Sequence, residues 1–168
     1  MTLTELNTLH EDQARVQLAT CCVANGWLDG VLAERPFDNT QALLDSADAV
    51  WQRATQSDIL EAFEGHPRIG DVSTLKKKFA HTASLAGHEQ SGMNAADDAV
   101  LQRMAELNDA YYAKFGYIFI VCATGKSATE MLALLEARLP NDPATELRIA
   151  AAEQGKITRL RLQKLVSE

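Results

Sequence analysis

Basic residues are in short supply. The chain of 168 residues has 16 lysines and arginines against 23 aspartates and glutamates, a formal charge of −7. Such a surface repels a phosphate backbone on average, so nucleic acid is not an expected partner. Glycine (9) and proline (4) are also few, which excludes collagen-like and low-complexity disordered chains. No apolar run approaches the roughly 20 residues of a membrane-spanning helix, and no membrane partner is expected. The opening residues Met1-Thr2-Leu3-Thr4-Glu5 lack a basic stretch followed by an apolar one, so no secretory signal is expected. The last residues, Leu165-Val166-Ser167-Glu168, carry no recognisable address tag. The three cysteines are Cys21, Cys22 and Cys122. An odd count with two adjacent members makes neither a disulfide framework nor a zinc knuckle. Buried, reduced thiols in a cytoplasmic protein are expected instead.

Apolar residues, by contrast, make up 46% of the chain, enough for a core without covalent staples. The length fits one domain over residues 1–168. The composition leans on alanine, leucine, glutamate and glutamine, all of which favour helix. The expected fold is all-α, a single-domain helical bundle. A first helical stretch is expected from Thr4 to Asn25 in two pieces, stopped by Asn25-Gly26. Trp27 to Glu34 follows and must end before Arg35-Pro36. Asp38, Asn39 or Thr40 caps a helix carrying Leu43, Leu44, Ala47 and Trp51, and Ser57 caps another that Gly65 ends. Ser73 or Thr74 opens a helix through Phe79, and His81 to Asn94 reads as a polar loop. Asn94 then caps an amphipathic helix with Val100, Met104, Leu107, Tyr111 and Phe115 on one face, terminated by Gly116. Ser127-Ala128-Thr129-Glu130 matches a capping box, and Asp142-Pro143 starts a last helix running to about Val166.

Tyr117 to Ala123 does not fit this pattern. Its β-branched and aromatic residues favour a strand, but a lone strand in a helical chain has no partner to pair with. One buried extended segment near the active site is expected, whose backbone N–H and C=O groups need partners. A bound ligand is one such partner.

The best-marked candidate for chemistry is His66, between Gly65 and Pro67. The proline fixes its own φ and pushes His66 toward an extended conformation, which holds an imidazole rigidly where acid–base groups often sit. The plainer alternative is a histidine that caps the preceding helix. Glu89-Gln90 offers a carboxylate that can orient an imidazole and an amide that suits a ureido ligand, or else a solvated loop pair. His81, His88, Asp71 and Glu89 lack the spacing of a metal site, and none is expected. Lys76-Lys77-Lys78 reads as a solvated helix face. Arg161 falls on the apolar face of the last helix with Leu147, Ala150, Ala151, Gln154, Ile157 and Leu165. There it needs a salt-bridge partner or an anion, whereas Arg159 reads as a surface residue. A metal-dependent hydrolase and a non-catalytic helical interaction module are the rival classes.

Several segments together give a more specific reading: Phe63-Glu64-Gly65-His66-Pro67-Arg68-Ile69-Gly70, Glu89-Gln90-Ser91-Gly92, Leu107-Asn108-x-x-Tyr111 and Lys114-Phe115-Gly116 with Tyr117 to Ala123. Glu146-Leu147 and Lys156-Ile157-x-x-Leu160-Arg161-Leu162 complete the series. In order and spacing the chain resembles, over its whole length, the 2-oxo-4-hydroxy-4-carboxy-5-ureidoimidazoline (OHCU) decarboxylases of urate breakdown. The resemblance implies an all-helical homodimer that converts OHCU to (S)-allantoin without a cofactor. It implies His66 as the catalytic acid/base, assisted by Glu89. Substrate would be held by Pro67, Gln90 and the segment Phe119, Ile120, Val121, Cys122 and Ala123, with Arg161 as a further candidate. Ala86, Gly87 and His88 fall in the same substrate-binding stretch but match the family pattern less well.

Overall fold

The computed structural model describes residues 1–67 and 95–167, and among them there are eight helices and no strand. The all-α expectation holds. The expected helix at Ser73/Thr74, the polar loop and the Asn94 cap lie outside the described residues. Two compact units emerge. The first comprises Met1–His66, Ile120–Cys122 and Ile149–Glu168, and the second Pro67–Phe119 and Ala123–Arg148.

The first unit holds α1 (Leu3–Thr8), α2 (Glu11–Ala19), α3 (Asn25–Ala33), α4 (Thr40–Gln52) and α5 (Gln56–Glu64). The last helix, α8 (Pro143–Leu165), contributes its residues from Ile149 onward. Thr2 caps α1 in a reciprocal box with Glu5, and the His10 side chain accepts from Asp12 N–H to open α2. That restart divides the first stretch in two, as expected. Asn25, however, does not stop a helix but starts one. Ala24 at the N-cap has no side chain to offer, and the Glu61 carboxylate supplies the cap by accepting from Asn25 N–H at 2.7 Å. A cap delivered from α5 leaves no local signal, so Asn25-Gly26 resembles a stop. Asn39 caps α4 as expected, whereas α5 is capped by Thr55, not Ser57. Thr55 forms a box with Asp58, which places the helix start two residues earlier.

Trp27, Leu6, Leu18, Leu43 and Leu162 are fully buried and form the centre of this unit. Each such side chain contributes about 1.5–3 kcal/mol by leaving water. Gly30 lets α3 meet α4 closely, since a Cβ there would stand 2.6 Å from Val50 Cγ1. Trp51 joins α4 to α8 by donating from its indole to the Ala151 carbonyl at 2.8 Å.

The second unit contains α6 (Ala95–Phe115), α7 (Ala128–Arg138) and the first turn of α8. Met104, Leu107 and Tyr111 are buried along α6 as expected, but Leu101 is buried in place of the half-buried Val100, and Phe115 is half-buried. Gly116, at φ +82°, ends the helix in the left-handed region that glycine tolerates best. Ser127 caps α7 by accepting from Glu130 N–H, and Asp142 does the same for α8 with Thr145. Arg138 and Glu146 form a buried ion pair at 2.5 Å, their side chains 8% and 0% exposed. Asn141 and the Tyr111 hydroxyl donate to the same carboxylate. Burial and this carboxylate push the Tyr111 phenol well above its usual range.

The buried stripe of α8 differs from the expected one. It runs Glu146, Ala150, Gln154, Thr158 and Leu162, continuing to Val166. Arg161 lies off it, exposed, with its guanidinium donating to the Cys21 carbonyl at 3.3 Å. Arg159 is half-buried and paired with Asp48 at 2.6 Å. Four-residue steps drift by about 40° around a helix with 3.6 residues per turn, so the stripe winds. Three of its members are polar, and each has a partner inside. Hydrophobicity therefore does not mark the stripe.

Candidate active site

His66 follows directly on α5. Its backbone N–H donates to the Phe63 carbonyl at 3.2 Å and completes the last turn, with Gly65 as the helical C-cap at φ −71°. The half-buried imidazole reaches α8, where Nε2 lies 2.6 Å from Gln154 Oε1. Gln154 is 1% exposed, and its amide donates onward to the Thr158 hydroxyl at 3.0 Å. A line of side chains thus runs inward from His66 to a buried threonine. Burial pushes Cys22 up to about 11 and also raises Cys21, so both remain thiols near neutral pH. All three cysteines are free and buried.

The segment that resisted a helix assignment forms neither helix nor strand from Ile118 to Ala123. Ile120 and Cys122 are buried and the residues between and beside them half-buried. The protein itself supplies partners to this segment. Cys122 N–H donates to Glu153 Oε1 at 3.1 Å. The other oxygen of that carboxylate pairs with Lys156 at 2.6 Å, one turn along α8, and the pairing raises the Lys156 ammonium above its usual range.

Adjacent residues of one helix therefore hold the two candidate elements: Gln154 the imidazole, and Glu153 the backbone of the segment. Sequence reasoning placed Gln154 on a helix face and gave it no role, and it passed over Glu153. The available signals were a Glu-x-x-x-x-x-x-x-Gln-x-x-x-Thr series at helical spacing over Glu146, Gln154 and Thr158, and a Glu-x-x-Lys spacing beside it.

Among the expected substrate-binding residues, Ile120, Val121 and Cys122 belong to the same unit as His66 and Arg161. Pro67, exposed, belongs to the second unit with Phe119 and Ala123. Phe119 sits in an aromatic group there, 5.3 Å from the Tyr111 ring centroid, with the Arg138 guanidinium 4.4 Å over its face. Ala86, Gly87, His88, Glu89 and Gln90 lie outside the described residues, as do His81 and Asp71. Among the described residues no helix is long and apolar enough to cross a membrane.

Chemically, the arrangement offers an imidazole held by Gln154 for proton transfer and, tied to the adjacent Glu153, a stretch of irregular backbone of the kind that meets polar ligand groups. The family model for OHCU decarboxylase matches residues 7–163. The uric acid degradation bifunctional protein TTL of Arabidopsis thaliana is 35% identical over 158 residues, covering 94% of this chain and 48% of that protein. The 2-oxo-4-hydroxy-4-carboxy-5-ureidoimidazoline decarboxylase of Haloferax volcanii is 24% identical over 168 residues, 99% of this chain and 97% of that one. An OHCU decarboxylase whose crystal structure was determined in the presence of (S)-allantoin has a TM-score of 0.73 at 35% identity, covering 90% of this chain and 98% of that chain. The chain spans 48%, 33% and 52% of the length of the first three curated relatives it matches.

Proposed function

The chain belongs to the OHCU decarboxylase family, and from that premise we propose that it converts OHCU to (S)-allantoin and carbon dioxide, with His66 as the acid/base. The observation that carries the reading is the tethering of His66 and Cys122 N–H by neighbouring residues of α8. It supplies a held proton-transfer group and a held recognition backbone on one scaffold.

The substrate brings its own electron sink, which is why no cofactor enters the proposal. Its carboxylated carbon bears a hydroxyl and adjoins a C=N bond. When the carbon–carboxylate bond breaks, the electron pair moves toward the C=N group as carbon dioxide leaves. The hydroxyl proton is released as that carbon becomes a carbonyl, and the ureido-bearing carbon gains a proton. The ring nitrogen that receives the electron pair takes up one further proton from solvent, which replaces the charge lost with the carboxylate. The hydroxyl proton lost and the carbon proton gained are work suited to a single imidazole. Placed proton transfer of this kind contributes about 10²–10⁴ in rate, and positioning adds to it. Delivery to one face of the ring carbon sets the S configuration. Glu89 stabilises the charged imidazole in this scheme, Pro67, Gln90, Phe119 to Ala123 and the 86–88 stretch hold the substrate, and Arg161 serves its anionic group. A homodimer, one functional domain and a cytoplasmic location complete the proposal. The buried reduced thiols accord with a reducing compartment.

The test is to generate OHCU freshly from urate and follow the circular dichroism of the product. A chiral allantoin signal appearing faster than the slow racemic background is the expected result, and its absence overturns the function. His66→Asn, folded by far-UV circular dichroism, is expected to bring turnover near background. Full turnover by that variant would remove His66 from the mechanism.

A further inference from the structure

We propose that Gln154 is a positioning residue that fixes which nitrogen of His66 carries the proton, an inference that rests on the reading of His66 as the acid/base. Gln154 is buried on α8, 1% exposed, so its amide must be satisfied by protein. It has two partners, one at each end of the amide. The amide nitrogen donates to Thr158 Oγ1 at 3.0 Å, four residues along the helix. The amide oxygen is left facing His66 Nε2 at 2.6 Å. A carbonyl oxygen only accepts, so the imidazole nitrogen opposite it must be the donor. Nε2 then keeps its proton whether the ring is neutral or charged, and the nitrogen that changes state during catalysis is Nδ1.

The Thr158 contact is the second tie on this amide. In the orientation observed its NH₂ group is spent on the Thr158 hydroxyl, which leaves the oxygen for the ring. The reverse orientation would present NH₂ to the ring and select the other tautomer, with the Thr158 hydroxyl donating to the amide oxygen instead. Thr158 is itself buried, 6% exposed, which confines its side chain. The same bond fixes the ring's orientation about χ2, which matters because His66 stands just beyond a helix end and is only half-buried. A histidine that must take and return a proton at one place needs both settings, tautomer and ring angle.

The test reads the tautomer directly. In ¹⁵N-labelled protein at a pH where the ring is neutral, the His66 resonances, assigned by their loss in His66→Asn, should show a protonated Nε2 and an unprotonated Nδ1. Gln154→Leu should give a mixture of tautomers and lower kcat by about tenfold or more, inside the roughly 10²–10⁴ that placed proton transfer is worth, with KM little changed. Gln154→Glu keeps an acceptor opposite Nε2 and should restore that tautomer and much of kcat relative to Gln154→Leu. An Nδ1-protonated ring in the wild-type protein overturns the inference. So does a Gln154→Leu variant with unchanged tautomer and kcat. If Gln154→Leu fails to fold, the wild-type spectrum alone decides. A fully active His66→Asn would instead defeat the acid/base reading, leaving the spectrum to report on the Gln154 bond by itself.

Discussion

Removing Arg138 while leaving Glu146 in place should be among the most damaging single changes available in the second unit. Glu146 has no exposed surface and Arg138 almost none, and the guanidinium meets the carboxylate through Nε at 2.9 Å and Nη2 at 2.5 Å. In Arg138→Met the carboxylate keeps Tyr111 and Asn141 as donors but loses its counter-charge. Stranding a buried charge in this way costs about 3–5 kcal/mol. A typical domain has only about 5–15 kcal/mol of stability in total. With a urea slope of about 2 kcal/mol/M, the unfolding midpoint should fall by roughly 1.5–2.5 M. Arg138→Met/Glu146→Leu, which removes both charges, should recover most of the loss. The chain provides two local probes. Both tryptophans, Trp27 and Trp51, are in the first unit, and all three tyrosines, Tyr111, Tyr112 and Tyr117, are in the second. Tryptophan fluorescence and the near-ultraviolet tyrosine signal should both be followed. Coincident transitions would mean that the chain unfolds as a single domain, and separate ones that the tyrosine signal goes first. A midpoint shift below about 0.5 M by both probes would refute the reasoning, because an isolated buried carboxylate cannot be that cheap. A double variant as unstable as the single one would refute it equally, by showing no coupling between the pair.

Val121→Pro should impair substrate binding strongly, by deleting an N–H and fixing φ in the segment beside Cys122, whereas Ile120→Val should cost only about 0.5–1.5 kcal/mol of stability and little activity. Comparable KM values for the two variants would argue against a backbone role. Glu89→Gln should reduce kcat far more than affinity for a substrate analogue, since an amide keeps a hydrogen bond but cannot stabilise an imidazolium; weak binding with normal turnover at saturation would make Glu89 a binding group instead. Alkali should destabilise the fold through Cys22, whose folded value of about 11 exceeds the ordinary 9.0. Its contribution is complete below pH 9, where the thiol is neutral in both states. It is lost between pH 9 and 11 as the unfolded chain ionises first, by up to about 3 kcal/mol. Tyr111, raised by burial and by Glu146, adds a further loss above pH 10. Urea midpoints at pH 8, 9 and 10 that are level, or no flatter in Cys22→Ser, would contradict this.

Local chemistry was legible where a residue and its partner are close in the chain. Asn39, Ser127 and Asp142 cap their helices because each cap satisfies an N–H within three residues. Gly116 ends α6 for a reason confined to its own φ. The α6 stripe could be read because its buried members are apolar, with Tyr111 as the one polar-tipped exception. Tyr117 to Ala123 also stood out, since a β-branched and aromatic run between a glycine stop and a serine start belongs to neither helix. The same logic explains the failures. Asn25 resembled a helix stop because its cap comes from Glu61, 36 residues away. Arg161 resembled a buried cation because the inward stripe of α8 contains glutamate, glutamine and threonine, which no hydrophobic pattern selects.

Legible in the sequence alone were the helical class, most of the described helix boundaries, the position of the irregular segment and, through its motifs taken jointly, the family, with His66 as the candidate for chemistry. These depend on propensity, short-range capping and the order of residues along the chain. Only the tertiary structure decided that Gln154 faces His66, that Glu153 holds Cys122 N–H, and that Glu146 gathers Arg138, Tyr111 and Asn141. A buried polar side chain is stable only when its partners arrive from elsewhere in the chain, and across 88 residues, as between His66 and Gln154, nothing in the spacing announces which partner that will be.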